Sequence, residues 1–248
     1  MNRALHIERL REEVRAIVAG QKGPAAGMPF GLDALDGRLA GGGLADAGLH
    51  EVAGASAGHG DDAAATLFLA GIAGRRAGEG GTVLWVVARR DLFAPGLAQA
   101  GLPPGRLLVA EAGQDKDVLA VMEEGLRHGA LAAVVGEVGR AGLTETRRLQ
   151  LAAEEGGTMA LMLRRWRKAD PLDQPSTAVT RWRIGAAPSS PLPVPGIGRA
   201  CWSVECARQR GGEAFSLILE ACDAQGRLAL PALPRDRPDQ EAEWRRAA

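Results

Sequence analysis

Between Leu49 and Leu163 the chain alternates short, continuously apolar runs with segments of helical periodicity, and few folds accommodate that pattern. The runs Leu49–Ala53, Thr82–Ala88, Arg106–Ala110, Leu131–Val135 and Thr158–Leu163 read as strands. Helical patterns lie between them at Ala63–Arg76, Asp91–Ala100, Asp117–His128 and Thr144–Glu155. Strands that are apolar on both faces and joined by crossover helices belong in a parallel sheet covered on both sides. After Trp166 the helical signal stops. Val179–Ile184, Cys201–Ala207 and Phe215–Ala221 alternate in character and are joined by Pro/Gly-rich connections, which predicts an antiparallel extension of the same sheet.

The ends of the chain differ from this core. Ile7, Leu10, Val14, Ile17 and Val18 repeat at helical spacing within residues 4–18, so residues 1–20 are expected to form an amphipathic helix. It either packs on its own domain or docks on a partner. Residues 21–30 read as a linker, 31–230 as the core, and 231–248 as a flexible tail rich in proline and charge. The N-terminus is charged throughout, unlike a signal peptide, and no apolar run reaches 18 residues. The expectation is a cytoplasmic protein that makes no use of membranes. Cys201, Cys206 and Cys222 lack the spacing of a metal site and read as free thiols, so no metal is expected.

The first strand runs into Gly54-Ala55-Ser56-Ala57-Gly58-His59-Gly60-Asp61-Asp62 and then a helix, the place where α/β folds cradle phosphates on backbone N–H groups. Gly54, Gly58 and Gly60 suit that role. With one extra residue allowed, Asp61 falls where a phosphate loop carries lysine, and Asp62 where it carries the Mg²⁺-binding hydroxyl. A unit charge pair at about 4 Å is worth roughly 4 kcal/mol at a surface-like dielectric, so lysine-to-aspartate turns the site against a polyphosphate. Asp61 and Asp62 also suit the first turn of a helix, whose dipole favours carboxylates; a cation or a partner contact is the other reading. Glu137, at the end of a later strand, is the one acidic side chain left near the metal-binding position. With an arginine in place of the lysine it could still hold Mg²⁺. No catalytic constellation and no cofactor are expected.

Net charge is zero, yet Arg164–Arg210 holds nine Lys/Arg against three Asp/Glu, together with Trp166, Trp182 and Trp202. Candidate DNA- or partner-binding residues there are Arg164, Arg165, Arg167, Lys168, Arg181, Arg183, Arg208 and Arg210. On a strand, Arg181 and Arg183 share one face and Trp182 takes the other. The choice is between a solvated edge with the tryptophan in the core and a basic binding strip.

Phe30-Gly31-Leu32-Asp33-Ala34-Leu35-Asp36, Gly41-Gly42-Gly43-Leu44 and Leu49–Gly54 resemble the run that leads into the phosphate loop of RecA/RadA cores. Arg208-Gln209-Arg210-Gly211-Gly212 resembles a basic element of the same ATPases. More specifically, His50–Ala55, Thr180–Ser189 and Trp202–Asp223 resemble the ImuA family, and the resemblance covers roughly residues 28–230. It implies a RecA-like P-loop-type α/β core without ATP turnover, serving SOS-induced error-prone translesion DNA synthesis. The partners it implies are an ImuB-like Y-family polymerase homologue, RecA and the error-prone polymerase ImuC; single-stranded DNA is a further candidate. Two alternatives remain at this level: an active RecA-like ATPase or recombinase, and a SulA-type cell-division inhibitor.

Overall fold

A computed structural model describes residues 27–166, 169–190, 192 and 196–231. The expected N-terminal helix, Arg167, Lys168 and residues 232–248 of the tail lie outside the described residues. One eight-stranded sheet organises the rest: β1 (Leu49–Gly54), β2 (Val83–Val87), β3 (Leu107–Glu111), β4 (Ala133–Val138), β5 (Met159–Arg164), β6 (Thr180–Ala187), β7 (Cys201–Gln209) and β8 (Phe215–Glu220). Its strand order is β3-β2-β4-β5-β1-β6-β7-β8. Pairing is parallel from β3 through to β6 and antiparallel from β6 to β8. This is the mixed sheet, mostly parallel with an antiparallel C-terminal extension, that the apolar pattern predicts.

The helices are α1 (Asp33–Asp36), α2 (His59–Ala77), α3 (Ala94–Gln99), α4 (Asp115–His128) and α5 (Leu143–Gly156), joined by 3₁₀ turns at Pro104–Arg106 and Pro171–Asp173. Helix α2 packs on one face, where Phe68, Leu69 and Ile72 meet Val52, Leu161, Leu163, Trp182 and Val204. Phe30, Phe68, Trp182, Trp202 and Phe215 form an aromatic cluster there, with neighbouring ring centroids 5.8–6.3 Å apart. Helices α4 and α5 cover the other face, burying Val118, Met122, Leu126 and Leu149 against Val86, Val134, Val138 and Met162. Both faces of the central strands are therefore out of water, which is why their sequences are apolar without alternation. No helix among the described residues is long and apolar enough to cross a membrane.

Several boundaries differ from expectation by a few residues, and two of the shifts move charged residues of the site. Helix α2 starts at His59 rather than Ala63, so Gly60, Asp61 and Asp62 belong to its first turn and the loop is only Ala55–Gly58. Strand β5 runs to Arg164, which places that arginine inside the sheet with no exposed surface.

Candidate functional site

The carboxyl ends of β1, β4 and β5 meet beside the start of α2. Asp61 ties that start to β6: its Oδ1 accepts from the Ala186 N–H at 2.8 Å and its Oδ2 from Ser56 Oγ at 2.6 Å. Ser56 Oγ in turn accepts from the Gly58 N–H at 3.1 Å, so the short loop is braced from within. Glycine suits position 54, where strand turns into loop, because a Cβ there would stand 3.0 Å from the Ser56 carbonyl oxygen and 3.1 Å from the backbone of Asp61 and Asp62. Trp166 closes the back of the loop by donating from Nε1 to the Gly54 carbonyl at 2.8 Å.

Asp62 points the other way, toward Arg165. The Arg165 guanidinium bridges Asp62 and Glu137; Nη2 and Nε reach Glu137 Oε2 at 2.7 and 3.1 Å. The other Glu137 oxygen accepts from Trp85 Nε1 at 2.7 Å. Burial opposes the charge on Arg165, but Glu137 and Asp62 outweigh it and hold the guanidinium above its ordinary pKa. Arg165 thus stands between the two carboxylates and pairs with both. The hollow above them, about 340 Å³, is lined by Ser56, His59, Asp62, Glu137 and Arg165 among others. Asp61 and Asp62 do lie in the first helical turn, and the cation facing Asp62 comes from the chain itself.

The basic stretch is not the exposed strip that one reading of it required. Arg164 and Arg181 reach Glu51 from the two strands flanking β1, at 3.0 and 2.7 Å, and Glu51 has no exposed surface. Ser176 Oγ also donates to Glu51, and Gln174 accepts from Arg164. Burial lowers the Arg164 pKa and Glu51 counteracts it. Arg183 is half-buried and engaged by Asp170 at 2.7 Å and Glu205 at 3.4 Å. Arg164, Arg165, Arg181 and Arg183 therefore neutralise internal carboxylates. Trp182 is buried, as strand alternation predicts. Arg208 and Arg210 donate to the Ser176 and Thr177 carbonyls, and of the described candidates these two are the exposed ones. Gln209 between them is buried and pins the Arg38–Ala40 segment through Ala40 N–H and the Arg38 carbonyl.

The role of Arg165 was not legible as a bridge, though its position carried a signal: two arginines directly follow the apolar strand Met159–Leu163. Among the described residues no His/Cys/Asp/Glu cluster forms a metal site. Cys201, Cys206 and Cys222 are free; burial pushes the Cys206 and Cys222 thiols up to about 12, away from thiolate chemistry.

No family model matches the chain. Among solved structures, SulA from Pseudomonas aeruginosa aligns with 47% of this chain and 96% of its own at 25% identity, with a TM-score of 0.39. Two curated relatives, each named Protein ImuA, come from two strains of Caulobacter vibrioides, NA1000 / CB15N and ATCC 19089 / CIP 103742 / CB 15. Each is 39% identical over 217 residues, spanning 83% of this chain and 88% of the relative. With that identity over that span, the chain belongs to the ImuA family.

Proposed function

We propose that this chain is a non-catalytic adaptor in SOS-induced error-prone translesion synthesis, built on a RecA-like core whose phosphate loop is degenerate. Family membership supports the cellular role. The observation that carries the non-catalytic reading is the Asp62–Arg165–Glu137 bridge. In a working phosphate loop, the position of Asp62 carries the hydroxyl that holds Mg²⁺, an aspartate one place before Glu137 serves the same ion, and a lysine reaches the terminal phosphates. Here an internal guanidinium satisfies both carboxylates, and Asp61, in the lysine's place, is spent on Ser56 and Ala186. Stabilisation of transferring phosphate would have to displace a bridge the fold already uses.

The partners in this reading are an ImuB-like Y-family polymerase homologue, RecA and ImuC. The test is capture of purified ImuB-like polymerase and RecA by the full chain, by a chain lacking residues 1–20 and by a chain lacking residues 231–248. Capture lost with one deletion supports the adaptor and locates its docking segment. Folded full-length protein that captures neither partner overturns it. ATP hydrolysis, measured in parallel, separates the adaptor from an active RecA-like ATPase: turnover abolished by Glu137→Gln would favour the enzyme.

A further inference from the structure

Most described arginines are committed to carboxylates or carbonyls within the fold. Arg89, Lys116 and Arg140 are not: all three are exposed, and their side chains make no hydrogen bond or ion pair among the described residues. They come from three separate places in the chain, yet they line one cleft of about 640 Å³ with Ala88, Gly113, Gln114 and Asp115. The carboxylate in that lining, Asp115, accepts from the backbone N–H of Arg140 at 3.0 Å, which holds the loop after β4 against the start of α4. The lining carries three cations against one carboxylate, in a chain whose net charge is zero.

The cleft's place in the topology matches its charge. The chain passes from β2 outward to β3 and then back across β2 to β4, so the strand order reverses there. In open α/β sheets ligands bind outside the carboxyl ends of strands at such a reversal. Arg89 follows β2, Arg140 follows β4, and Lys116 lies in the first turn of α4. No side chain caps α4, and Gly113 turns the chain into it with φ 71°. This region adjoins the hollow above the Arg165 bridge, with Ala88, Arg89 and Asp115 lining both, whereas of the two only this one is lined by Lys116 and Arg140.

We propose that Arg89, Lys116 and Arg140 form a binding cleft for phosphate groups. The ligand is the backbone of single-stranded nucleic acid or, with the same chemistry, a free nucleotide or phosphate. The inference does not rest on the adaptor reading, because it concerns a surface that the polymerase-capture experiment does not measure.

The test uses the full chain in anisotropy titrations with a fluorescent single-stranded oligonucleotide, and in competition with ATP and with inorganic phosphate. The combined variant Arg89→Ala/Lys116→Ala/Arg140→Ala is compared with Arg147→Ala, an exposed arginine on α5 outside the cleft. Loss of three phosphate contacts should weaken oligonucleotide binding at least roughly tenfold and reduce the log–log salt slope by about 2. Arg147→Ala should leave both unchanged. Oligonucleotide binding resistant to millimolar ATP identifies nucleic acid as the ligand; ATP or phosphate binding that the triple variant loses identifies the small ligand. Absence of binding to all three probes overturns the proposal. So does a triple variant, with native circular dichroism, that binds like the unaltered protein.

Discussion

Arg165 follows β5 directly, and its Nη2 lies 2.7 Å from Oε2 of Glu137 near the end of β4, while its backbone N–H donates to the Val138 carbonyl at 2.9 Å. Main chain and side chain thus bind the same neighbouring strand. The bridge to Asp62 extends this tie to α2, so one side chain joins three elements at the carboxyl edge of the sheet.

Removing that side chain should therefore cost stability before it costs any surface property. Breaking a fully buried pair costs about 3–5 kcal/mol. Arg165 is 26% exposed, so solvent would re-hydrate part of the defect and roughly 2–3 kcal/mol is expected for Arg165→Ala. Urea unfolding measures it. Arg165→Met/Glu137→Gln should recover part of the loss, because the deeply buried Glu137 charge is then gone and the carboxylate left unpaired, Asp62, is 34% exposed and hydrated. A double variant worse than the sum of its parts would contradict the bridge.

His50 gives a pH dependence with a definite sign. His50 Nε2–H donates to the Ala45 carbonyl at 2.9 Å, which leaves Nδ1 of the neutral ring to accept from the Thr180 hydroxyl at 2.8 Å; Thr180 Oγ1 in turn accepts from Trp182 Nε1 at 2.6 Å. The network fits neutral imidazole, and burial lowers the His50 pKa from 6.5 to about 4. The unfolded chain then binds more protons between these values, so stability rises with pH across that window. His50 contributes fully above pH 6.5, and on the order of 3 kcal/mol is lost as pH falls to 4. Denaturation midpoints from pH 4 to 7 should show a steeper acid limb for the native chain than for His50→Gln. Identical limbs would remove His50 as the cause.

The sheet was legible because burial on both faces leaves an apolar run and little else, as Trp85–Val87 and Leu161–Leu163 illustrate. The C-terminal strands were legible because β7 alternates, with Val204 and Cys206 inward and Ser203 and Glu205 less buried. The start of α2 was not. His59, Gly60 and Asp61 are poor helix formers, and a tertiary bond from Asp61 to Ala186 sets the first turn. The ionic pairs were illegible for a related reason. Arg165 meets Asp62 across 103 residues and Arg181 meets Glu51 across 130, so a run of arginines in one window says nothing of the acids that neutralise it.

Close backbone packing gives a further prediction. Gly74, within α2, faces Gly101: a Cβ added at Gly74 would stand 2.1 Å from the Gly101 carbonyl oxygen. That neighbour is main chain and cannot rotate away. Ala is the better helix former by about 1 kcal/mol, yet overpacking of this kind costs about 1–3 kcal/mol or more. Gly74→Ala should lower the thermal midpoint despite its gain in propensity. Gly78→Ala offers a contrast: it has open space around its Cβ position, and its cost should come only from φ 55°.

The buried and the half-exposed arginines should separate cleanly by mutation. Glu51 holds Arg164 and Arg181 almost wholly out of water, and two nitrogens there, Arg164 Nε and Arg181 Nη2, already lack partners. Glu51→Gln keeps the shape but leaves two guanidinium groups without a counter-charge, so the loss should approach about 3–5 kcal/mol. Arg183 on β6 and its partner Asp170 have 25% and 20% of their side chains exposed. Solvent replaces most of that interaction, and Arg183→Ala should cost about 1 kcal/mol or less. Chemical denaturation of the two variants side by side distinguishes these environments. Comparable losses would mean that the charges around Glu51 reach solvent, and Arg164 and Arg181 would return as surface-binding candidates. A large gap between them leaves Arg208 and Arg210 as the exposed arginines among the described members of the basic stretch, alongside the Arg89–Lys116–Arg140 cleft.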